Sequence, residues 1–498
     1  MGRDEAAAVR EARPRHARAL APEGQADERR RGTRARRERR ALGAPGAGRR
    51  GERHPRARAR RATSISGRLI VVGDGKILIV ILCGAGDRPI PELGGRTPLE
   101  HARTRHLDAL ARRGATGLVT VIDDVVAPES DSGAMALLGY DPLVYYTGRG
   151  PLEGLGMGFW DASQSCVAFR INFGSCDRAS GRLDRRTARD LADDELQALA
   201  REVRAEVTLA DFPGVSYELV AFGRHRGILC LKSSDRELSG NVSNTDPGFR
   251  KLRGFGVPNQ DFRPEPAPCV PLEDGEAAAL TARVVNAFVA ESSGVLERSD
   301  VNAARVEAGR LPANVILFRD GGHELPELGD FSGLTGRTLA LYGQVPAERG
   351  LCRLIGGRFV ETRPHDGQSD EAFYRETAFR AAADPADVVL VHLKGADEPG
   401  HDDQPLEKAG AIEAIDDCFV GALVEAAGAQ DTVVVTGDHA TPCGLGIHVP
   451  DPVPTAVAGP RVPRDESVGF SEAEAARGAL PVERAAELLP YLIGEARR

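Results

Sequence analysis

Val433-Val434-Val435-Thr436-Gly437-Asp438-His439 is an apolar, β-branched run that stops at a carboxylate and an imidazole. Such residues pack well on a pleated surface, so the run reads as a strand. Three other runs deliver polar groups in the same way. Val388-Val389-Leu390-Val391-His392-Leu393 leads to Asp397 and His401, and Ile77-Leu78-Ile79-Val80-Ile81-Leu82 leads to Cys83 and Asp87. Thr116-Gly117-Leu118-Val119-Thr120-Val121 leads to Ser130 and Asp131. In a doubly wound parallel sheet, ligands collect beyond the carboxyl ends of the strands. Four such ends carrying Asp, His and Ser imply one polar site, and that mixture of donors implies divalent metal.

The 498 residues are 41% hydrophobic, as suits a globular protein, and leave room for two to four domains. The longest apolar runs are strand-length and too short to span a bilayer, so no membrane role is expected. Eight cysteines are scattered without a C-x-x-C pair, which suits a reducing cytoplasm better than a disulfide framework or a zinc ribbon. The net charge of −8 conceals an asymmetry. Residues 1–61 hold 20 Arg, no Lys and 8 acidic residues, whereas the remainder holds 45 basic and 65 acidic ones. The basic segment has no apolar periodicity, so residues 1–66 are expected to be a disordered extension. Arg without Lys looks like base composition, and hence like sequence upstream of the true start, rather than a selected nucleic-acid arm. The acidic remainder gives no reason to expect a nucleic-acid partner.

The folded part is expected to begin near Lys76. Thr97-Pro98 opens a helix over about 97–113, and Ser130 stands at the start of a short helix running through Leu138. From 143 to 334 the texture changes to strand-like pieces (166–173, 217–222, 227–232) and helices near 192–206 and 274–292. From 335 the βα rhythm returns with the second half of the polar groups. The expected architecture is therefore α/β: a parallel-sheet core (76–142 and 335–498) interrupted by an inserted mixed α/β domain (143–334).

Asp397-x-x-x-His401 alone is an ordinary surface pairing, and Pro399-Gly400 between the two argues for a loop. Joint placement after strands, with His448 nine residues beyond His439, lifts it. Three Asp/His donors can hold one divalent ion; Asp, His and a Ser oxygen can hold a second. A two-metal pair activates a hydroxyl and neutralises phosphoryl oxygens during in-line displacement.

Several words then form an ordered set: Gly86-Asp-Arg-Pro-Ile-Pro-Glu-Leu-Gly-Gly-Arg-Thr-Pro-Leu-Glu100, Ala127-Pro-Glu-Ser-Asp131 and Tyr145-Tyr-Thr-Gly-Arg-Gly-Pro-Leu-Glu153. Ala168-Phe-Arg-Ile-Asn-Phe173, Asn244-Thr-Asp-Pro247 and Pro312-Ala-Asn314 follow. Lys394-Gly-Ala-Asp-Glu-Pro-Gly-His-Asp402, Gly437-Asp-His-Ala-Thr-Pro-Cys443, Ile447-His448 and Asp451-Pro-Val-Pro454 complete it. Over residues 76–498 the chain resembles the archaeal-type, 2,3-bisphosphoglycerate-independent phosphoglycerate mutases of the alkaline phosphatase superfamily. The resemblance implies a phosphatase-like core with an inserted transferase domain. It implies interconversion of 2- and 3-phosphoglycerate, a glycolytic and gluconeogenic step, through a phosphoserine at Ser130. It also implies no 2,3-bisphosphoglycerate cofactor and two divalent ions (manganese, magnesium, cobalt or zinc). Asp397, His401 and His448 look like ligands of one ion; Asp438, His439 and Ser130 look like ligands of the other.

Two departures stand out. The family's first strand normally ends in Asp-Gly, with the Asp a ligand of the serine-side metal; here the dipeptide is Cys83-Gly84, and a thiolate favours softer ions. Cys83 is therefore carried as a candidate ligand, against the reading of a small buried packing residue. Around 345–356 the family tends to carry Lys, and here Arg349 could keep the charge. The substrate's phosphate and carboxylate call for further cations, for which Arg149, Arg170, Arg224, His225, Arg226 and Arg319 are the candidates, with Asn172 and Asn244 as weaker ones. The mutase is the leading function, since retaining glycerate calls for an inserted domain closing over the core. A phosphomonoesterase on the same core and a catalytically weakened metal-binding homologue are the alternatives.

Overall fold

The computed structural model describes residues 75–185, 190–259 and 261–494. The extension expected at 1–66 lies outside them. The strands, in chain order, begin with β1 (Ile77–Leu82) and β2 (Ala115–Val119). There follow β3 (Ser165–Cys176), β4 (Leu183–Asp184), β5 (Val215–Phe222), β6 (Arg226–Ser233), β7 (Phe249–Leu252), β8 (Phe255–Pro258) and β9 (Val315–Gly322). The chain then runs through β10 (Leu339–Gly343), β11 (Arg358–Glu361), β12 (Val388–Leu393), β13 (Thr432–Thr436) and β14 (Val453–Ala458).

Seven strands form one sheet in the order β11-β10-β12-β1-β13-β14-β2. The first five run parallel; β14 is antiparallel to both neighbours, so β2 points the same way as β13. The carboxyl ends of β1, β2, β12 and β13 thus share one edge. Every residue of β1, β12 and β13 is buried, as expected of central strands covered on both faces. Apolar layers lie on either side. One packs Ile77, Ile79 and Ile81 against the helix Ser130–Leu137 and the C-terminal helix. The other packs Leu78, Val80 and Leu82 against Leu107, Ile412 and Phe419.

A second, antiparallel sheet is built only from residues between these two stretches, in the order β4-β3-β6-β5 with β9 pairing β3. Its core is Phe169, Phe173, Phe288 and Phe318 with the helices Asp193–Glu206 and Glu276–Glu297. β7 and β8 form a separate hairpin.

Two local expectations are corrected. The single helix at 97–113 is two pieces, Pro98–His101 and Arg105–Ala111, parted at Ala102, whose backbone is extended. Asp397–His401 is a short helix rather than a loop. Pro399 falls in its first turn, where the missing N–H is not needed. No described helix is long and apolar enough to cross a membrane.

Candidate active site

The shared strand edge brings together residues far apart in sequence. Ser130 is the first residue of its helix, and Glu129 is the N-cap. Its Oγ lies 3.6 Å from Cys83 Sγ at the end of β1. Cys83 Sγ donates to Asp438 Oδ2 at 3.3 Å and lies 3.7 Å from His439 Nε2, beyond the end of β13. Backbone geometry makes this possible. Gly84 has φ +64°, and a Cβ there would sit 2.6 Å from Asp397 Oδ1. A Cβ at Gly133 would sit 2.7 Å from the Asp438 carbonyl, so only glycine lets the Ser130 helix rest on that residue.

The second group stands beside the first. Asp397 Oδ2 is 3.5 Å from His401 Nε2, and Asp397 Oδ1 is 3.7 Å from His448 Nε2. The His448 ring stacks on His439, with centroids 3.7 Å apart.

The histidines are held in one common way. His401 Nδ1 donates to the Gly446 carbonyl at 2.8 Å, and His448 Nδ1 to the Pro128 carbonyl at 2.9 Å. The Thr441 hydroxyl donates to Asp397 Oδ1 at 2.7 Å, so it accepts from His439 Nδ1 at 3.0 Å. All three therefore turn Nε2 towards the carboxylates and the sulfur. Fixing the distal nitrogen in this way is how proteins orient imidazole ligands. Burial, then His448, pushes His439 down to about 3, so it is a neutral imidazole. Burial opposes ionisation of Asp397 and Asp438, but their histidine partners outweigh it and hold both well below the usual carboxylate range. Convergent groups of Cys83, Asp397 and His439, and of Asp397, His401 and His448, have ligand atoms within 4.8 Å of one another. On their own chemistry these residues fit a pair of divalent cations.

Three residues given no role in the sequence reading belong to this centre. Lys394 Nζ donates to Ser130 Oγ at 2.9 Å and to Cys83 Sγ at 3.5 Å. Burial opposes its charge, but Cys83 and Glu348 outweigh it and raise its pKa, so Lys394 is an ammonium. Glu348 Oε1 lies 3.4 Å from Lys394 and 2.6 Å from His392 Nδ1, and His392 Nε2 lies 3.0 Å from Asp438 Oδ2. His392 is thus clamped between two carboxylates and positions Asp438. Glu348 is wholly buried on the helix Pro346–Leu354, from which no strand-end pattern could have drawn it. Lys394 stood in one of the quoted words, three residues before Asp397, but nothing in the sequence paired it with Ser130.

A cavity of about 1040 Å³ opens from the centre towards the antiparallel sheet. Arg149, Arg170, Arg224, His225, Arg226, Arg319 and Asn172 all line it. Arg170 and Arg319 are register partners on β3 and β9. Like charges directly opposite one another destabilise a sheet. Here Arg170 Nη1 donates to Glu153 at 2.5 Å and Arg319 Nη1 to Asp320 at 2.6 Å, while both Nε–H groups are buried with no acceptor among the described residues. That is a cradle for an anion. Arg149 differs: it donates to Glu129, Asp131 and Glu153, so its charge is already answered. Arg185, which the sequence reading passed over, also lines the cavity, held by Asp246 and stacked on Phe249 and Phe262.

Two candidates fall elsewhere. Arg349 lies outside the cavity lining, pairing with Glu361 at 2.6 Å and stacking on Phe359, because its place on the helix turns it away from the cleft. Asn244 is structural: its Nδ2 donates to the Phe249 carbonyl and its Oδ1 accepts from the Asp320 N–H.

A hydroxyl at a helix start, set among converging carboxylate, imidazole and thiol donors and faced by an arginine cradle, marks a phosphoryl-transfer enzyme acting on a small anion. Comparison with known proteins narrows the class. Residues 111–302 match the family model described as 2,3-bisphosphoglycerate-independent phosphoglycerate mutase. The mutase of that name from Methanopyrus kandleri is 38% identical over 410 residues, covering 81% of this chain and 92% of its own. The one from Aeropyrum pernix is 38% identical, covering 81% and 95%. Among solved structures, a Pyrococcus horikoshii protein superposes with TM-score 0.64 at 27% identity, covering 84% and 96%. The cofactor-independent phosphoglycerate mutase of Thermoplasma acidophilum superposes with TM-score 0.52 at 30% identity, covering 84% and 99%. The chain belongs to the 2,3-bisphosphoglycerate-independent phosphoglycerate mutase family.

Proposed function

We propose that the chain interconverts 2- and 3-phosphoglycerate through a phosphoserine at Ser130, without 2,3-bisphosphoglycerate, as a step of glycolysis and gluconeogenesis. The observation that carries the reading is the placement of Ser130 Oγ. It touches both the Lys394 ammonium and the Cys83–Asp438–His439 group, at the mouth of a cavity walled by Arg170 and Arg319.

Asp397, His401 and His448 are assigned to one divalent cation, and Asp438, His439, Cys83 and Ser130 to the other. When bound, the cations supply Lewis-acid charge against phosphoryl oxygens. The remaining work belongs to the chain. Arg170 and Arg319, with Arg185, Arg224, His225 and Arg226 around them, bind the phosphate and carboxylate and orient the phosphorus towards Ser130. Lys394 steadies the developing alkoxide. The Ser130 Oγ–P bond forms as the P–O bond to glycerate breaks, and the serine proton replaces the phosphoryl group on the glycerate oxygen. Glycerate stays in the arginine cradle and turns; the bond from its other oxygen to phosphorus forms as the Ser130 Oγ–P bond breaks, and that hydroxyl's proton returns to Ser130 Oγ. A cytoplasmic setting suits eight cysteines present as free thiols.

The test is conversion of 3- to 2-phosphoglycerate by the metal-loaded chain with no 2,3-bisphosphoglycerate added. Interconversion with retained phosphate supports the mutase. Release of inorganic phosphate as the main product would make the chain a phosphomonoesterase instead.

A further inference from the structure

The two donor groups are chemically unequal. Around Asp397, His401 and His448 every donor atom is nitrogen or oxygen; around Ser130 one donor is the sulfur of Cys83. We propose that the serine-side group is a zinc-selective, thiolate-containing site, whereas the Asp397 group, without sulfur, lacks that selectivity. The inference deepens the two-metal reading and rests on it.

Cys83 is buried, but it is not a packing residue. It joins neither apolar layer of the sheet, although Leu82 and Ala85 on either side of it do. Its sulfur faces polar atoms instead: Ser130 Oγ, Asp438 Oδ2, His439 Nε2 and Lys394 Nζ. The donor spacing discriminates between metals. A tetrahedral shell with bonds of about 2.0–2.3 Å has donor–donor edges of about 3.3–3.6 Å. An octahedral magnesium shell, with bonds of about 2.1 Å, has adjacent edges of about 3.0 Å. The edges here are 3.3 Å from Cys83 Sγ to Asp438 Oδ2, 3.7 Å to His439 Nε2 and 3.6 Å to Ser130 Oγ. The fourth, Asp438 Oδ2 to His439 Nε2, is 3.3 Å. All four are wider than the octahedral magnesium spacing. Thiolate selects zinc over magnesium and manganese, whereas the carboxylate and two imidazoles of the other group carry no such bias.

The outer contacts hold the same atoms in place. Gly84 N–H donates to Asp438 Oδ1 at 3.1 Å, so Oδ2 is the oxygen turned to the shell. Thr441 fixes His439 Nδ1, as above, and Lys394 Nζ donates to the sulfur. Loss of partners of this kind typically costs about 10- to 100-fold in metal affinity or activity.

Cobalt(II) reports directly on sulfur ligation through a near-ultraviolet thiolate-to-cobalt charge-transfer band. The full chain, stripped of metal by chelation, should bind two cobalt ions, one of which gives the band, and zinc should displace that ion first. Cys83→Asp should still bind two cobalt ions without the band, and zinc should lose about a hundredfold of its advantage over manganese at that site. Cys83→Ser, closer in volume, gives the same spectroscopic reading should the Asp variant fail to fold by circular dichroism. Asp397→Asn should lose the other ion and keep the band. Two cobalt ions bound without a band, or a band that survives in Cys83→Asp, would overturn the zinc assignment and leave the two-metal reading standing. A parent chain that binds no metal would overturn both.

Discussion

The two sheets deliver functional side chains by different rules. In the seven-stranded sheet the chemistry sits just past the strand ends: Cys83 after β1, Asp397 after β12, Asp438 and His439 after β13. Within the strands, His392 of β12 supports this edge through Asp438. In the antiparallel sheet Arg170 and Arg319 sit within β3 and β9, in register with each other and flanked by core residues such as Ile171 and Phe318. The first arrangement concentrates donors of mixed charge at one edge, where backbone turns can aim them. The second plants like charges on a rigid face, which is tolerable because Glu153 and Asp320 take part of each guanidinium and an anion can take the rest. One sheet is built to react and the other to hold.

That division is sharpest at Ser130. Ser130→Ala removes the atom to which phosphorus bonds, so mutase activity should fall by at least about a thousandfold with the fold intact. No phosphorylated enzyme should be trapped from substrate. Substantial residual interconversion would show that the strand edge is not where the reaction happens. Lys394→Met comes next. Removing a buried ammonium aimed at the nucleophile should lower kcat by about a hundredfold, in the range for loss of one preorganised donor, with KM little changed. A rise in KM alone would move Lys394 into the holding half of the comparison.

Arg170→Met and Arg319→Met probe the other sheet. Each removes a charge-assisted contact to substrate, worth about 1.5–3 kcal/mol, or roughly 10- to 150-fold in kcat/KM. If the cradle exists to keep glycerate, these variants should also release more inorganic phosphate per interconversion, because glycerate escapes before the phosphoryl group returns. An unchanged ratio of hydrolysis to transfer would mean that retention lies elsewhere.

How far the sequence could be read follows the same line. β1, β12 and β13 were visible as β-branched runs ending in Asp, His or Cys, because strands buried on both faces must be continuously apolar. The direction of β2 was also implicit, but the antiparallel β14 that separates it from β13 was not. Arg170 was named from the word around it and Arg319 as a candidate cation for the substrate, whereas their pairing across β3 and β9 depends on a register that no local pattern specifies. Glu348 and His392 were invisible for another reason. Each is an ordinary residue on its own element, and only the packing of the helix Pro346–Leu354 beneath β12 makes them partners. Arg349, one residue from Glu348, shows the cost of reading charge without the helix: the neighbour that points inward is the carboxylate.

Below the site the comparison becomes one of stability. Lys408 is wholly buried and donates to the Gly86 carbonyl, Asp87 Oδ2 and the Thr441 carbonyl, joining the loop after β1 to the loop after β13. Lys408→Met leaves the Asp87 carboxylate buried without its cation and should cost about 3–5 kcal/mol in denaturant unfolding. Lys408→Met combined with Asp87→Leu should recover part of that loss. If the single variant is as stable as the parent, the strand-edge loops do not depend on this pair.

The smallest effect is expected at Arg349. Its charge suggested a substrate contact, yet the side chain is partly exposed, pairs with Glu361 and covers the Phe359 ring. Exposed ion pairs contribute little because water and salt screen them, and the guanidinium's packing on an aromatic edge is replaceable. Arg349→Ala should therefore change stability by less than about 1 kcal/mol and leave kcat and KM for phosphoglycerate at parent values. Both are read from one preparation, by denaturant titration and by the mutase assay. A several-fold rise in KM without a change in stability would mean that this helix swings Arg349 into the cleft when substrate binds. The holding half of the molecule would then extend beyond the antiparallel sheet onto the reacting one.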